Sequence, residues 1–149
     1  MENTLSIIRT HVSFGETQYA FLNACSDHPI QDGFIFSKVF TSDSSLTAFL
    51  QTMKNTLSLS ETFVEEVTRK YSSDFFAQQS LVLLFSDERS GSNRLTLRKV
   101  DVTDGRIHLE IERERGLTMD MAYLFLFYPL NSHAIHSSSA HIANKQTLY

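Results

Sequence analysis

The sequence predicts an α+β domain, built as an antiparallel twisted sheet or small β-sandwich with a two-helix pair packed on one face. Three observations carry this expectation. Two successive segments in the first half of the chain repeat apolar residues at helical spacing. The segments after them are apolar runs or strict alternations of the kind strands show. Short turns rich in Ser, Gly and Asp join those strand candidates, which favours antiparallel neighbours over crossovers.

The helices are the clearest local signal. In SDSSLTAFLQTMKNT, Leu46, Phe49, Leu50 and Met53 fall at i, i+3, i+4 and i+7, and Ser42, Asp43 or Ser44 supplies the N-cap acceptor. In SETFVEEVTRKY, Ser60 is the cap, and Phe63, Val67 and Tyr71 share a face. Glu61 near the start and Arg69 and Lys70 near the end complement the helix dipole. The connection from Asn55 to Leu59 is short, which pairs the helices.

Strands are expected on either side. Leu5–Val12 and Thr17–Ala24 read as two strands joined by Ser13–Glu16, and FIFSKVF as a half-buried strand after the loop around Asp27-His28-Pro29. SLVLLFS is a continuous apolar run, as in a strand covered on both faces. RLTLRKVDV alternates but slips phase between Leu97 and Val100, the mark of a β-bulge. Asp104-Gly105 predicts a hairpin turn. RIHLEIER returns with Ile107, Leu109 and Ile111 inward, and Arg106, His108, Glu110 and Glu112 outward. AYLFLFYPL is a last apolar strand ended by Pro129, which cannot donate to a ladder. Residues 1–131 are therefore expected as one domain, and the Ser-, Ala- and His-rich residues 132–149 as a flexible tail.

Composition removes several function classes. The chain has 149 residues, a net charge of −4 and one cysteine, Cys25, so a disulfide framework is excluded and non-specific nucleic-acid binding is disfavoured. Seven of the thirteen Lys and Arg residues lie between Arg89 and Arg115. Seven acidic residues from Asp87 to Glu114 accompany them, so no basic patch results. No apolar run reaches membrane-spanning length. The first residues lack the pattern of a signal peptide, which taken alone reads as cytoplasmic, and no address is assigned.

Chemical motifs are few. ERSGSNR, Glu88 to Arg94, holds a Ser-Gly-Ser, but it lacks the second glycine of a nucleophile elbow and the Lys-Ser/Thr of a phosphate loop. A loop between antiparallel strands accounts for it. Cys25, Asp27 and His28 are adjacent, yet catalytic Cys/His pairs meet from distant positions, and a lone cysteine is usually a small buried hydrophobe. His133, His136 and His141 have ligand spacing but lie in the expected tail, so no metal site and no cofactor are assigned. Glu110, Glu112 and Glu114 alternate onto one strand face that nothing in the pattern buries, so none is assigned as a general acid. Asp120, between Met119 and Met121, is expected to cap local backbone N–H groups. No catalytic residue is assigned.

The stretch from Asp74 to Leu130 resembles the C-terminal domain of the protease complex subunit PrcB family. The resemblance rests on Asp74-Phe75-Phe76, the strand Leu81–Phe85, Ser90-Gly91-Ser92, the Asp104-Gly105 turn and Asp120-Met121-Ala122 before the last strand. Tyr123 stands where the family carries Trp shortly after that element, and the chain contains no Trp. The resemblance implies an accessory domain without catalytic residues, in bacterial proteins that are exported or lipid-anchored.

The expected function is thus a non-enzymatic domain binding a protein or peptide partner. Its contact surface would be a sheet edge or the loop Glu88, Arg89, Ser90, Gly91, Ser92, Asn93 and Arg94, with Asp120 as a further site residue. Two alternatives stand beside it. One is a small hydrolase with a site near Cys25, His28 or Asp120. The other is a small-molecule module with a pocket lined by some of the twelve Phe residues.

Overall fold

The structure, a computed structural model, describes residues 6–10, 16, 20, 21, 24, 34–57, 59–88, 93–103, 106–114, 116–118, 122–131 and 140–147. In chain order the elements are β1 (Ser6–Thr10), β2 (Phe34–Phe40), α1 (Asp43–Leu57), α2 (Glu61–Lys70), α3 (Ser73–Phe76), β3 (Gln79–Glu88), β4 (Arg94–Thr103), β5 (Arg106–Glu114), β6 (Ala122–Asn131) and β7 (Ala140–Thr147). The first sheet runs β1-β6-β3-β2 and is antiparallel throughout; the second runs β4-β5-β7.

The apolar run of β3 explains the layering. Leu81, Leu83 and Phe85 join one core cluster with α1, α2 and the β6 residues Phe125 and Phe127. Val82 and Leu84 join a second cluster with Leu126, Tyr128 and Leu130 of β6 and with Leu95, Ile107, Leu109 and Ile111 of the second sheet. Successive side chains of a strand point to opposite faces, so a run with no polar positions needs two covers. The helices cover one face of the first sheet and the β4–β5 hairpin covers the other. The architecture is α+β, a two-sheet sandwich with the helices on one outer face.

The helices form as their spacing dictates. Leu46, Leu50 and Met53 are fully buried and Phe49 nearly so. The Ser42 hydroxyl accepts from the Ser45 N–H at 3.2 Å, and Ser60 caps α2 by accepting from the Phe63 N–H at 3.1 Å. Lys54 of α1 and Glu61 of α2 form an ion pair at 3.4 Å across the connection. Lys70, at the end of α2, donates to the Ser6 hydroxyl of β1 at 3.1 Å.

In the second sheet the register shifts between Leu97 and Lys99, which is the bulge the phase slip required. It returns Val100 to the core side that Leu97 occupies before it. Arg98, at the bulge, makes a two-point pair with Glu112, Nε to Oε2 at 3.2 Å and Nη2 to Oε1 at 3.0 Å. Thr103 stands opposite Arg106, so β4 and β5 are antiparallel neighbours as expected; Asp104 and Gly105, the expected turn, lie outside the described residues.

Three expectations change. Of the expected strand Thr17–Ala24, the described residues Ala20, Phe21 and Ala24 are helical, as is Glu16 before them, and Phe21 packs on the helix-side cluster; residues 17–19, 22 and 23 lie outside the described residues. Two alanines of high helix propensity occupy that segment, and β1 pairs with β6 instead of with it. Proline does not end the last apolar strand, because β6 continues to Asn131 with Pro129 opposite Leu81. The pairing of β1 stops at Phe127, so the side of β6 away from β3 is unpaired at Pro129 among the described residues, where a missing N–H is tolerated. Finally, Ala140–Thr147 lies within the expected tail, yet it forms β7, parallel to β5. Backbone pairing along an open strand edge needs no apolar period, so composition did not reveal it. Residues 132–139, 148 and 149 lie outside the described residues.

Tyr71 follows α2 and stacks on Phe127 at 5.5 Å between ring centres, with Phe75 edge-on at 4.9 Å. Its buried hydroxyl has no hydrogen-bond partner among the described residues. Burial pushes its pKa up to about 12; the nearby Ser6 hydroxyl, outside hydrogen-bond geometry, draws it partly back. Burial also raises Tyr128. A folded-state value above the ordinary 10.0 leaves stability unchanged below pH 10 and removes it as pH rises from 10 toward 12. Tyr71 alone is expected to contribute a loss of about 2–3 kcal/mol across that window in urea titrations. Tyr71→Phe is expected to flatten this decline and to raise stability at pH 7 by about 1 kcal/mol, because it deletes an unpaired buried hydroxyl. A destabilised Tyr71→Phe would show that the hydroxyl is bonded after all.

Candidate functional site

Glu88 is the last residue of β3, and it continues the phase of Val82, Leu84 and Ser86 toward the second sheet. Arg113 of β5 continues the phase of Ile107, Leu109 and Ile111 toward the first. The inter-sheet core therefore ends in an acid on one wall and a base on the other. Both are buried, Glu88 at 1% exposure and Arg113 at 6%, and Ser86 beneath them is fully buried.

The pairing is two-pronged. Arg113 Nε donates to Glu88 Oε1 at 2.6 Å, and Nη2 donates to Oε2 at 2.9 Å. The Ser86 hydroxyl donates to Oε2, and Asn93 Nδ2 donates to Oε1 at 3.1 Å. Arg113 Nη2 also reaches the Ser86 oxygen at 3.5 Å. Four donors thus meet a carboxylate whose acceptor capacity is about four. Such a group is committed to its partners and offers no lone pair to a substrate.

The same network ties two connections together. The chain leaves β3 at Glu88 and enters β4 after Asn93, and those two residues are hydrogen-bonded across the loop mouth. Asn93 Oδ1 in turn accepts from the Gly116 N–H at 2.7 Å. Gly116 follows β5, at the start of the connection to β6. The β3–β4 loop and the β5–β6 connection therefore meet at one end of the sandwich through Asn93.

Both groups of expected site residues belong to these two connections. Glu88 is buried and supplies no contact surface; it anchors the loop. Asn93 is half-buried and Arg94 is exposed, opposite Glu114 on β5. Arg89, Ser90, Gly91, Ser92 and Asp120 lie outside the described residues, as do Cys25, Asp27, His28, His133 and His136. Leu117, in the β5–β6 connection, is 92% exposed. Nine of the twelve Phe residues belong to the helix-side cluster, packed ring against ring as in the edge-on Phe85–Phe125 pair at 4.5 Å.

Sequence reasoning missed Ser86, Arg113 and Gly116. The first two had a signal. Extending the alternation of β5 by one step places Arg113 inward, and extending that of β3 places Ser86 and Glu88 on the facing wall. Gly116 acts through its backbone and left none.

Comparison of the chain with protein-family models, with curated proteins and with solved structures finds no match.

Removing one partner of a buried pair strands the other charge, so Arg113→Met is expected to cost about 3–5 kcal/mol in urea unfolding. The double variant Glu88→Leu/Arg113→Met should recover most of that loss, since it buries no unpaired charge. Additive losses in the two single variants and the double would contradict the pairing.

Proposed function

We propose that this chain is a non-enzymatic accessory domain of bacterial type, akin to the PrcB C-terminal domain, that binds a protein or peptide partner. The observation that carries this reading is the open edge of the second sheet. β4 is ten residues long and forms the end of the order β4-β5-β7, so among the described residues one side of its backbone has no neighbouring strand in that sheet. Unpaired strand edges accept extended segments by main-chain hydrogen bonding. Arg94, Thr96, Arg98 and Lys99 are exposed along β4, and the loop fixed by Glu88 and Asn93 adjoins its start.

Further support comes from the resemblance itself. Its residues, 74–130, include the four strands β3 to β6, and hence the whole edge and both tied connections. The bulge and the basic residues of β4 are devices that discourage indiscriminate edge pairing, which suits a selective partner. The saturated Glu88 carboxylate favours binding over acid–base chemistry. Among the described residues no helix is long and apolar enough to cross a membrane.

Photo-crosslinking tests the surface. A crosslinking amino acid placed at Thr96 is expected to give one discrete adduct in cell lysate, and deletion of residues 89–92 should weaken it. The same probe at Glu65, exposed on α2, should give none. Equal labelling from the two positions, or none from Thr96, would reject the β4 edge.

A further inference from the structure

The two sheets do not cover each other evenly. The Glu88–Arg113 pair sets β5 over β3, and Cα atoms of β7 come within 8 Å of β2. The order β7-β5-β4 against β2-β3-β6-β1 then lays β4 over β6, with no strand over β1 among the described residues. Burial agrees with this offset. Leu126 of β6 is fully buried between the sheets, whereas Ile7 of β1, directly opposite it in register and so on the same face, is 42% exposed. Leu124 of β6 and Leu97 and Val100 of β4, which border the step, are only partly buried. On its other face β1 is covered, and Ile8 packs on the helix-side cluster.

The step has the width of one strand. Neighbouring strands lie about 4.8 Å apart, so a segment added to the open side of β4 takes the place above β1. Its side chains alternate between the two faces. Those turned inward meet Ile7 and Leu124 and continue the inter-sheet core; those turned outward lie beside Arg94, Arg98 and Lys99, which are exposed on β4. From Arg94 to Val100 the strand carries three cations and no acid. The acids of β5 flank them on the other side: Glu114 opposite Arg94, Glu112 bonded to Arg98, and Glu110 opposite Lys99. A strand with acids at alternate positions therefore extends the alternation of charge across the sheet. A second copy of β4 does the reverse, since antiparallel pairing of two such edges brings the cation rows together.

We propose that the step between the β4 edge and β1 binds an extended peptide that alternates apolar and acidic residues. Its apolar side chains cover Ile7 and Leu124, and its acidic ones pair with the β4 cations. This partner class rests on the reading of β4 as the binding edge. The chain's net charge of −4 repels acidic peptides as a whole, so affinity for one reports the local arrangement.

The test is fluorescence anisotropy of the full chain with labelled synthetic peptides. Glu-Val-Glu-Val-Glu-Val-Glu is expected to bind about tenfold or more tighter than Lys-Val-Lys-Val-Lys-Val-Lys, and tighter than Glu-Glu-Glu-Val-Val-Val-Glu, which keeps the composition and loses the alternation. Arg94→Glu/Lys99→Glu is expected to reverse the preference toward the lysine peptide, and Ile7→Glu to weaken the acidic peptide about tenfold or more. Hydrogen exchange of the parent chain removes dependence on variant folding: the acidic peptide should protect those amides of Arg94–Val100 that do not bond to β5. No preference for the alternating acidic peptide, parent-like affinity in Ile7→Glu, or unprotected β4 amides overturns the proposal. A discrete Thr96 crosslink without binding of the acidic peptide rejects this partner chemistry alone, whereas absence of the crosslink rejects the edge and the proposal with it. A crosslinked partner that is a second copy of the chain overturns the proposal as well.

Discussion

Full-length pairing of β3 with β6, from Gln79 opposite Asn131 to Glu88 opposite Ala122, places two strands of almost uninterrupted apolar character at the centre of the first sheet. Neither strand has a polar face to turn to water, so the fold must supply two covers. The helices supply one, through the stripe of Leu46, Phe49, Leu50 and Met53 with Val64, Val67 and Tyr71. The other has to come from the chain between β3 and β6 themselves. That segment leaves the first sheet, forms the β4–β5 hairpin over it, and returns to the strand next door.

An excursion of this kind has to be closed where it departs and where it comes back. The Glu88–Arg113 pair sits at that point, with Ser86 and Asn93 completing the carboxylate's bonds and Asn93 reaching Gly116. A buried ion pair adds little net stability over a well-packed apolar pair, because desolvation offsets the attraction. Its effect here is on alignment. A hairpin slipped by one residue on the first sheet would leave two charges unpartnered in the core, and that penalty fixes where β4 runs and which backbone edge faces solvent. The proposed binding edge thus depends on a bond that lies beneath it.

Much of this was legible in the residues. The helical stripes, the Ser60 cap, the bulge after Leu97 and the inward row of β5 are local patterns with one physical reading each. The continuous runs of β3 and β6 announced burial on both faces, but a run does not say what covers it, so sandwich and single sheet stayed equal. Glu88 was visible as a residue and misread as surface, because its place at a strand end looked like the start of a loop. Arg113 was hidden by its neighbours: Glu112 and Glu114 are outward, and one charge among charges draws no notice until the alternation is counted through. β7 left no pattern, since parallel backbone pairing imposes none on so polar a segment. The helical turn near Ala20 lost to a strand reading because short apolar stretches fit both periods.

Hydrogen exchange of individual amides tests the central claim, that β3 and β6 are the doubly covered pair from which the remaining elements take their places. If it holds, the amides of Leu81–Phe85 and Leu124–Tyr128 that bond between the two strands exchange only through global unfolding, with the full denaturant dependence of that transition, while amides of β1, β7 and the β4 edge exchange through smaller openings. Exchange of the β3–β6 amides through a local opening, with the helices or the β4–β5 hairpin outlasting them, would contradict it.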